Sequence, residues 1–556
     1  MSKVPSIHAP KIDRPRNAFD LSQKHLFSAA PGILYPVLSL DCIKDDKLDV
    51  SLAQLVKSMP IVNNPFINCK GILEFFFVPY HQVWHPFDQF QTQMMDFHSR
   101  LYDYTEPLSS VPQTSVSNFK HALTIDQPTP PDMFGYYDSF GLAVYSDLLG
   151  YGLYTDGTLK KGTNHKLPNI LPDKYFPSTD YNMNQFRIAS FNKIYMDYYR
   201  KTNYEPYNAA TYSLDNNAAS DYNENILVQS GVTGYKYRNY SLDLITNAVP
   251  SPNLQNNSFA TANNIIPNTY IQGDNKLTWK PTDVGVSNPS SIDSYAVSNS
   301  STNPAAQSIS VSSLKAAFAL QKLGSLIGRT DKNWKSQMDA LFGGDMAAGR
   351  DDKAIYAGGF DFDINFDDIP NTNGDTYGKQ YSTYGNVTSN GNGHISFRCP
   401  EHGVFMAIFS IVPIIPYDSN AIDVNNTHLN YQDFYNPIFE NIGLQPISAL
   451  SLNQAEPNKF LSWQPRYSEY KSALDRNHMC FNSNLSLSSF TSARRRSTST
   501  AFDEYNLNMF KVNPNCLDSV FAVNFDGSSS TAPFMCDFNF NVVKLSNMQL
   551  HNSSLF

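Results

Sequence analysis

Charge is scarce in this 556-residue chain: Asp, Glu, Lys and Arg make up 16% of it, with a formal net charge of −9. No global basic field draws nucleic acid to it, so any such contact must come from local patches. Cysteine is also scarce. The six at Cys42, Cys69, Cys399, Cys480, Cys516 and Cys536 include no CxxC pair and read as small buried hydrophobes in a reducing compartment. Long apolar runs are missing. Val404–Ile415 is interrupted by Ser410 and Pro413 and falls short of the ~18 residues a spanning helix needs. The opening residues MSKVPSIHAPKIDRPRN hold no apolar stretch that would direct export, so a soluble protein is expected.

Catalytic signatures are absent as well. There is no GxSxG, and no GxGxxG follows a strand. The stretch from Gly374 to Gln380 approaches a P-loop but is one residue short and lacks the Ser/Thr that would hold Mg²⁺. His81 and His85 lie four apart, yet Pro86 and the aromatic surroundings favour packing beside Trp84 over metal binding. Cys399-Pro400-Glu401-His402 is a C-x-x-H without a second pair. Asp361, Asp363 and Asn365 match the first ligand positions of an EF-hand loop, but Phe366 replaces its glycine and Thr372 its final Glu. A strand with acidic residues facing water is the better account. No catalytic, metal or cofactor residue is assigned, and no enzyme is expected.

Aromatics are what the chain has in abundance, with 33 Tyr and 37 Phe. They pack well in strands and at interfaces, which favours a β-rich protein with large contact surfaces. Length alone would predict about three to four domains, a prior that all-β proteins often violate. The segment CKGILEFFFVPYHQVWHPFDQF, residues 69–90, reads as a buried strand feeding a short helix or turn. Residues 30–49 read as a turn and a strand, after which Asp49 is placed to cap a short helix carrying Leu52, Leu55, Val56 and Met59. Residues 101–184 read as long loops. In 185–201, Ile188, Phe191, Ile194, Tyr195 and Tyr198 share one helical face. A second helical stretch begins near Ser313, and a glycine-rich loop covers 343–359. Strands return at 394–399 and 404–412, and 519–525 with 533–543 reads as a hairpin. Strands at both ends of the chain suit one antiparallel sandwich with long insertions. The composition also admits a carbohydrate-binding β-sandwich surface protein, which would be monomeric.

Two basic features are candidates for nucleic-acid contact. Residues 1–27 read as an arm carrying Lys3, Lys11, Arg14 and Arg16, where Pro5, Pro10 and Pro15 forbid a continuous helix. Arg494, Arg495 and Arg496 form the one basic cluster, set among Ser and Thr, which suits phosphate contact without base reading. Residues 205–310, rich in Asn, Ser and Thr with few charges, read as exposed loops.

Ordered blocks along the chain resemble one family. Phe19-Asp20, the run Gly32 to Val37, EFFFVPYHQVW, Val111-Pro112-Gln113 and Asp147 to Gly150 come first. Phe186-Arg187-Ile188 to Arg200, LKAAFALQKLGSLIGR, CPEHGVFMAIFSIVP and PRYSEYKS follow in order. Together they resemble the major capsid proteins of the Microviridae, especially the gokushovirus-like branch; the 205–310 loops do not match, so the chain is similar to a diverged member. The resemblance implies an eight-stranded antiparallel viral jelly roll with long loops and a few helices, occupying 28–556 as a single domain. It implies a virion protein assembled in the host bacterial cytoplasm. Pentamers would build a small T=1 shell of about sixty copies around circular single-stranded DNA. Further partners would be viral scaffolding, pilot and small DNA-binding proteins. A host surface receptor would meet a protruding insertion, best placed within 205–310.

Overall fold

The computed structural model describes residues 16–61, 65–92, 111–115, 138–152, 182–215, 234–250, 322–323, 340–341, 352–369, 382–387, 393–418, 422–440, 443–448, 460–482, 485–494, 510–521 and 532–550. Strands β1 (Asn17–Asp20), β2 (Gln23–Ala29), β3 (Tyr35–Cys42), β4 (Lys47–Ser58) and β5 (Asn68–Pro79) open the chain. The short strands β6 (Gln113–Ser115) and β7 (Asn182–Asn184) pair with each other. Then come β8 (Ile355–Ile369), β9 (Ser382–Val387), β10 (Gly393–Arg398) and β11 (Gly403–Ile414). β12 (Tyr417–Asp418) pairs with β15 (Arg476–Asn477), and β13 (Leu444–Ser448) with β14 (Phe460–Pro465). β16 (Phe534–Ser546) closes the list.

Ten of these strands form one antiparallel sheet folded into two facing layers. One layer runs β3-β11-β5-β8-β9. The other centres on β16 and β4, with β1 and β2 along the free edge of β16 and β10 along β4. A single pairing, Lys57 with Asn386, joins the two. Rings from both layers interlock: Phe409 on β11 meets Phe538 on β16 edge-on at 4.8 Å and Phe27 on β2 at 5.9 Å, while Phe397 on β10 lies 5.8 Å from Phe405. Edge-to-face geometry is the favoured packing of such pairs. Gly71 on β5 keeps room for this core, since a Cβ there would lie 2.4 Å from the Phe362 ring.

β5 is buried on both faces from Phe75 to Val78. One face meets the sandwich core. The other lies under the helix Phe186–Ile194 and its π-helical continuation Tyr195–Tyr199, with Phe76 and Tyr198 at 4.8 Å. Cover on both faces explains an apolar run without alternation. Buried ion pairs fasten this helical layer. Lys511, fully buried, pairs with Glu205 at 2.9 Å and donates to the Tyr195 hydroxyl, and Lys193 pairs with Asp197.

Several expectations are corrected. Residues 49–58 form most of β4, not a helix: Leu48, Val50, Leu52 and Val56 alternate inward and the strand pairs with β16 along twelve positions. That ladder overrides the helical spacing: Leu52 and Val56 fit the inward face of the strand, whereas Leu55 turns to the exposed face. β16 is not one arm of a hairpin with 519–525. It pairs with β4, β2 and β1, while Phe521 bridges to Ile61. Residues 17–20 and 23–27, expected within the arm 1–27, belong to β1 and β2, which pair with β16. Within 205–310, Tyr235, Tyr237, Tyr240 and Ile245 are buried rather than exposed, because this short stretch is far more apolar than its Asn-rich surroundings. The second helical stretch lies almost wholly outside the described residues. By contacts the chain forms two units, Met1–Ala248 with Asp352–Phe556, and Val249–Asp351.

Candidate assembly and nucleic-acid surfaces

Of the residues singled out for nucleic acid, Lys3, Lys11, Arg14, Arg495 and Arg496 lie outside the described residues. Arg16 is exposed and donates through Nε to Asn547. Arg494 is held inside the chain. Its guanidinium donates to Asp243 at 2.6 Å and to the Tyr417 hydroxyl at 2.8 Å, and lies 3.9 Å from the centre of the Tyr240 ring. Its backbone N–H donates to Pro416. Arg494 thus ties its loop to β12 and to residues 240–246, and burial pushes the Tyr417 phenol above its ordinary range. Replacing Arg494 with Ala is expected to cost about 2–3 kcal/mol, read by urea unfolding, because it removes the ring packing and leaves the half-buried Asp243 carboxylate without its cation, held only by Tyr417, Ile245 and Thr246. Lysine is expected to recover only part of that, since it cannot lie flat between two rings.

His81 and His85 are not mere packing residues. His81 Nδ1 lies 2.9 Å from Glu401 and His85 Nδ1 contacts Asp215, so each is spent on a carboxylate. Asp361 and Asp363 face outward on β8 between buried Phe362 and Ile364, as a strand requires, and Asp361 pairs with Lys70. Among the described residues no cluster of three or more potential metal ligands forms.

The most distinctive surface lies at 428–440 and 466–471. Leu429 is 86% exposed, Ile438 75% and Tyr431 74%, and Phe434, Tyr435 and Tyr470 stand half out of the fold beside them. Their base is rigid. The Tyr467 hydroxyl, on a buried ring, donates to the carbonyls of Gln432 and Phe434, and Arg466 donates to Gln432 at 2.6 Å. His428, nearly buried, stacks on Tyr470 and lies 3.4 Å from Glu469. The backbone N–H groups of Asn430 and Leu429 donate to Asp433 and hold its carboxyl below its ordinary range. The rim carries a paired Lys471 and Glu440. An apolar centre on a fixed backbone with a polar rim is the anatomy of a protein interface.

A second exposed apolar group gathers around Phe66, which is 77% exposed, 6.0 Å from Phe481 and 6.5 Å from Phe490, with Met479 and Leu485 nearby in sequence and also exposed. Sequence reading missed both surfaces, because lone aromatics in loops carry no period. The remaining signal was the aromatic density itself, in HLNYQDFYNPIFE for example.

A family model described as capsid protein (F protein) matches residues 175–556. The match covers more than half of the chain and contains the first surface whole. No curated protein matches the chain.

Proposed function

The chain belongs to the Microviridae capsid protein (F protein) family, a structural component of the virion whose subunits assemble into a shell, and from that premise we propose that it closes into a small T=1 particle around circular single-stranded DNA. The observation that carries the assembly reading is the rigid aromatic surface at 428–440 and 466–471, which offers a second copy of the chain a preorganised apolar contact. Closed shells need more than one kind of contact, because each subunit meets neighbours about several axes. The group around Phe66 supplies a second. Family membership replaces the carbohydrate-binding alternative.

DNA contact is assigned to the basic N-terminal segment and the arginine cluster, through Lys3, Lys11, Arg14, Arg16, Arg495 and Arg496. Such contacts neutralise phosphates without reading bases, as an acidic protein with local basic segments allows. The Asn- and Ser-rich stretch within 251–310 is the segment proposed for host attachment, and scaffolding, pilot and small DNA-binding proteins complete the partners. Assembly takes place in the host cytoplasm.

Electron microscopy and size-exclusion chromatography of the purified protein test the assembly. Uniform small particles are expected, and a persistent monomer under all conditions overturns the proposal. Replacing Arg495 and Arg496 with Ser is expected to leave shells intact while lowering nuclease-protected DNA. Full DNA content in that variant counts against their role.

A further inference from the structure

Lys511 and Asn239 are partners in an isolated antiparallel bridge. The bonds on either side bracket the pair: Tyr240 N–H donates to the Phe510 carbonyl at 2.8 Å, and Val512 N–H to the Arg238 carbonyl at 2.9 Å. Asn239 and Lys511 exchange no backbone bond themselves. In that arrangement antiparallel Cα atoms come closest, ~4.5 Å apart, and the two side chains share one face. The ends of the side chains converge as well. Asn239 Nδ2 donates to the Tyr199 carbonyl at 2.9 Å, and Lys511 Nζ donates to the same oxygen at 3.1 Å.

Three features suit this pair to chemistry. Lys511 is fully buried, and burial pushes its ammonium below its ordinary range against the pull of Glu205. A lysine that surrenders its proton is a nucleophile. Glu205 Oε2 lies 2.9 Å from Nζ, placed to take that proton, and Glu205 Oε1 accepts from the Tyr195 hydroxyl at 2.6 Å. Asn239 Oδ1 is buried and has no partner among the described residues, where a purely structural amide would have both ends satisfied.

We propose that Lys511 and Asn239 join in an amide bond inside the folded subunit, with Glu205 carrying the proton. Lys511 Nζ passes a proton to Glu205 and attacks Asn239 Cγ, and charge develops on Oδ1. The Nζ–Cγ bond forms and the Cγ–Nδ2 bond breaks. Glu205 returns the proton to Nδ2, which leaves as ammonia. No oxidant or other reactant is consumed, so the bond can form where cysteines stay reduced, as all six are here. Afterwards Glu205 keeps the Tyr195 hydroxyl and the Lys201 backbone N–H as donors. The link closes a loop that runs from 239 to 511 and contains the surface at 428–440, which restrains the unfolded chain.

Mass spectrometry of the full-length protein tests the bond. The denatured wild type is expected about 17 Da below the mass its sequence requires, the loss of one ammonia, and a protease digest should hold one branched peptide joining 239 to 511. Asn239→Asp is expected to form the same link by losing water, about 18 Da below its own sequence mass. Glu205→Gln is expected to keep the full mass while its circular dichroism matches wild type. A wild type at full sequence mass, or a loss of ammonia without the branched peptide, overturns the proposal. An undiminished loss in Glu205→Gln overturns the role of Glu205.

Discussion

Subunits carrying Leu429→Glu together with Ile438→Glu are expected to fold normally and to form no shells. Both side chains point into solvent, so the fold loses nothing that either one supports. At an interface the balance reverses. Apolar surface covered by a neighbour stabilises assembly by about 25 cal/mol per Å², and a shell repeats each contact in every subunit. A carboxylate in the same place must be desolvated without a partner, at a cost of several kcal/mol. Near-ultraviolet circular dichroism should match the wild-type subunit, and sedimentation should show no particles. Wild-type shells from this variant would remove the surface at 428–440 from the assembly.

Phe409→Ala is expected to have the opposite signature, losing the fold itself. Phe409 is fully buried and touches Phe27, Phe362 and Phe538, so it joins β11 to β2, β8 and β16 across the sandwich. A large-to-small change there costs about 3–5 kcal/mol, against a total stability of about 5–15 kcal/mol for a typical domain. The urea midpoint of the subunit should fall accordingly, with most of the protein insoluble on expression. Phe409→Leu should recover part of the loss by refilling the space. A midpoint left unmoved by the alanine variant would mean that the two layers do not pack through this ring.

The reading of β5 and β11 as buried strands held, because both are continuous apolar runs bounded by Pro or Gly and neither depends on distant partners for its type. The helix at 186 held because its apolar residues repeat at 3.6. The reading of β4 failed for a physical reason. KLDVSLAQLVKS satisfies both periods, and only the register with β16, nearly five hundred residues away in sequence, decides between them. Pairing partners are likewise invisible locally, so β16 looked like a hairpin arm.

The candidate surfaces divide along the same line. The sequence by itself determined a β-rich chain without catalytic motifs and the family to which it belongs, since each of these is written in composition or in contiguous blocks. Only the tertiary structure decided that Arg494 serves the fold, that His81 and His85 answer carboxylates, that Lys511 faces Asn239 across one bridge, and that Leu429, Tyr431 and Ile438 stand together in water. Those facts depend on which residues the long-range ladders bring within a few ångströms of one another, and a strand's own residues do not specify its neighbour.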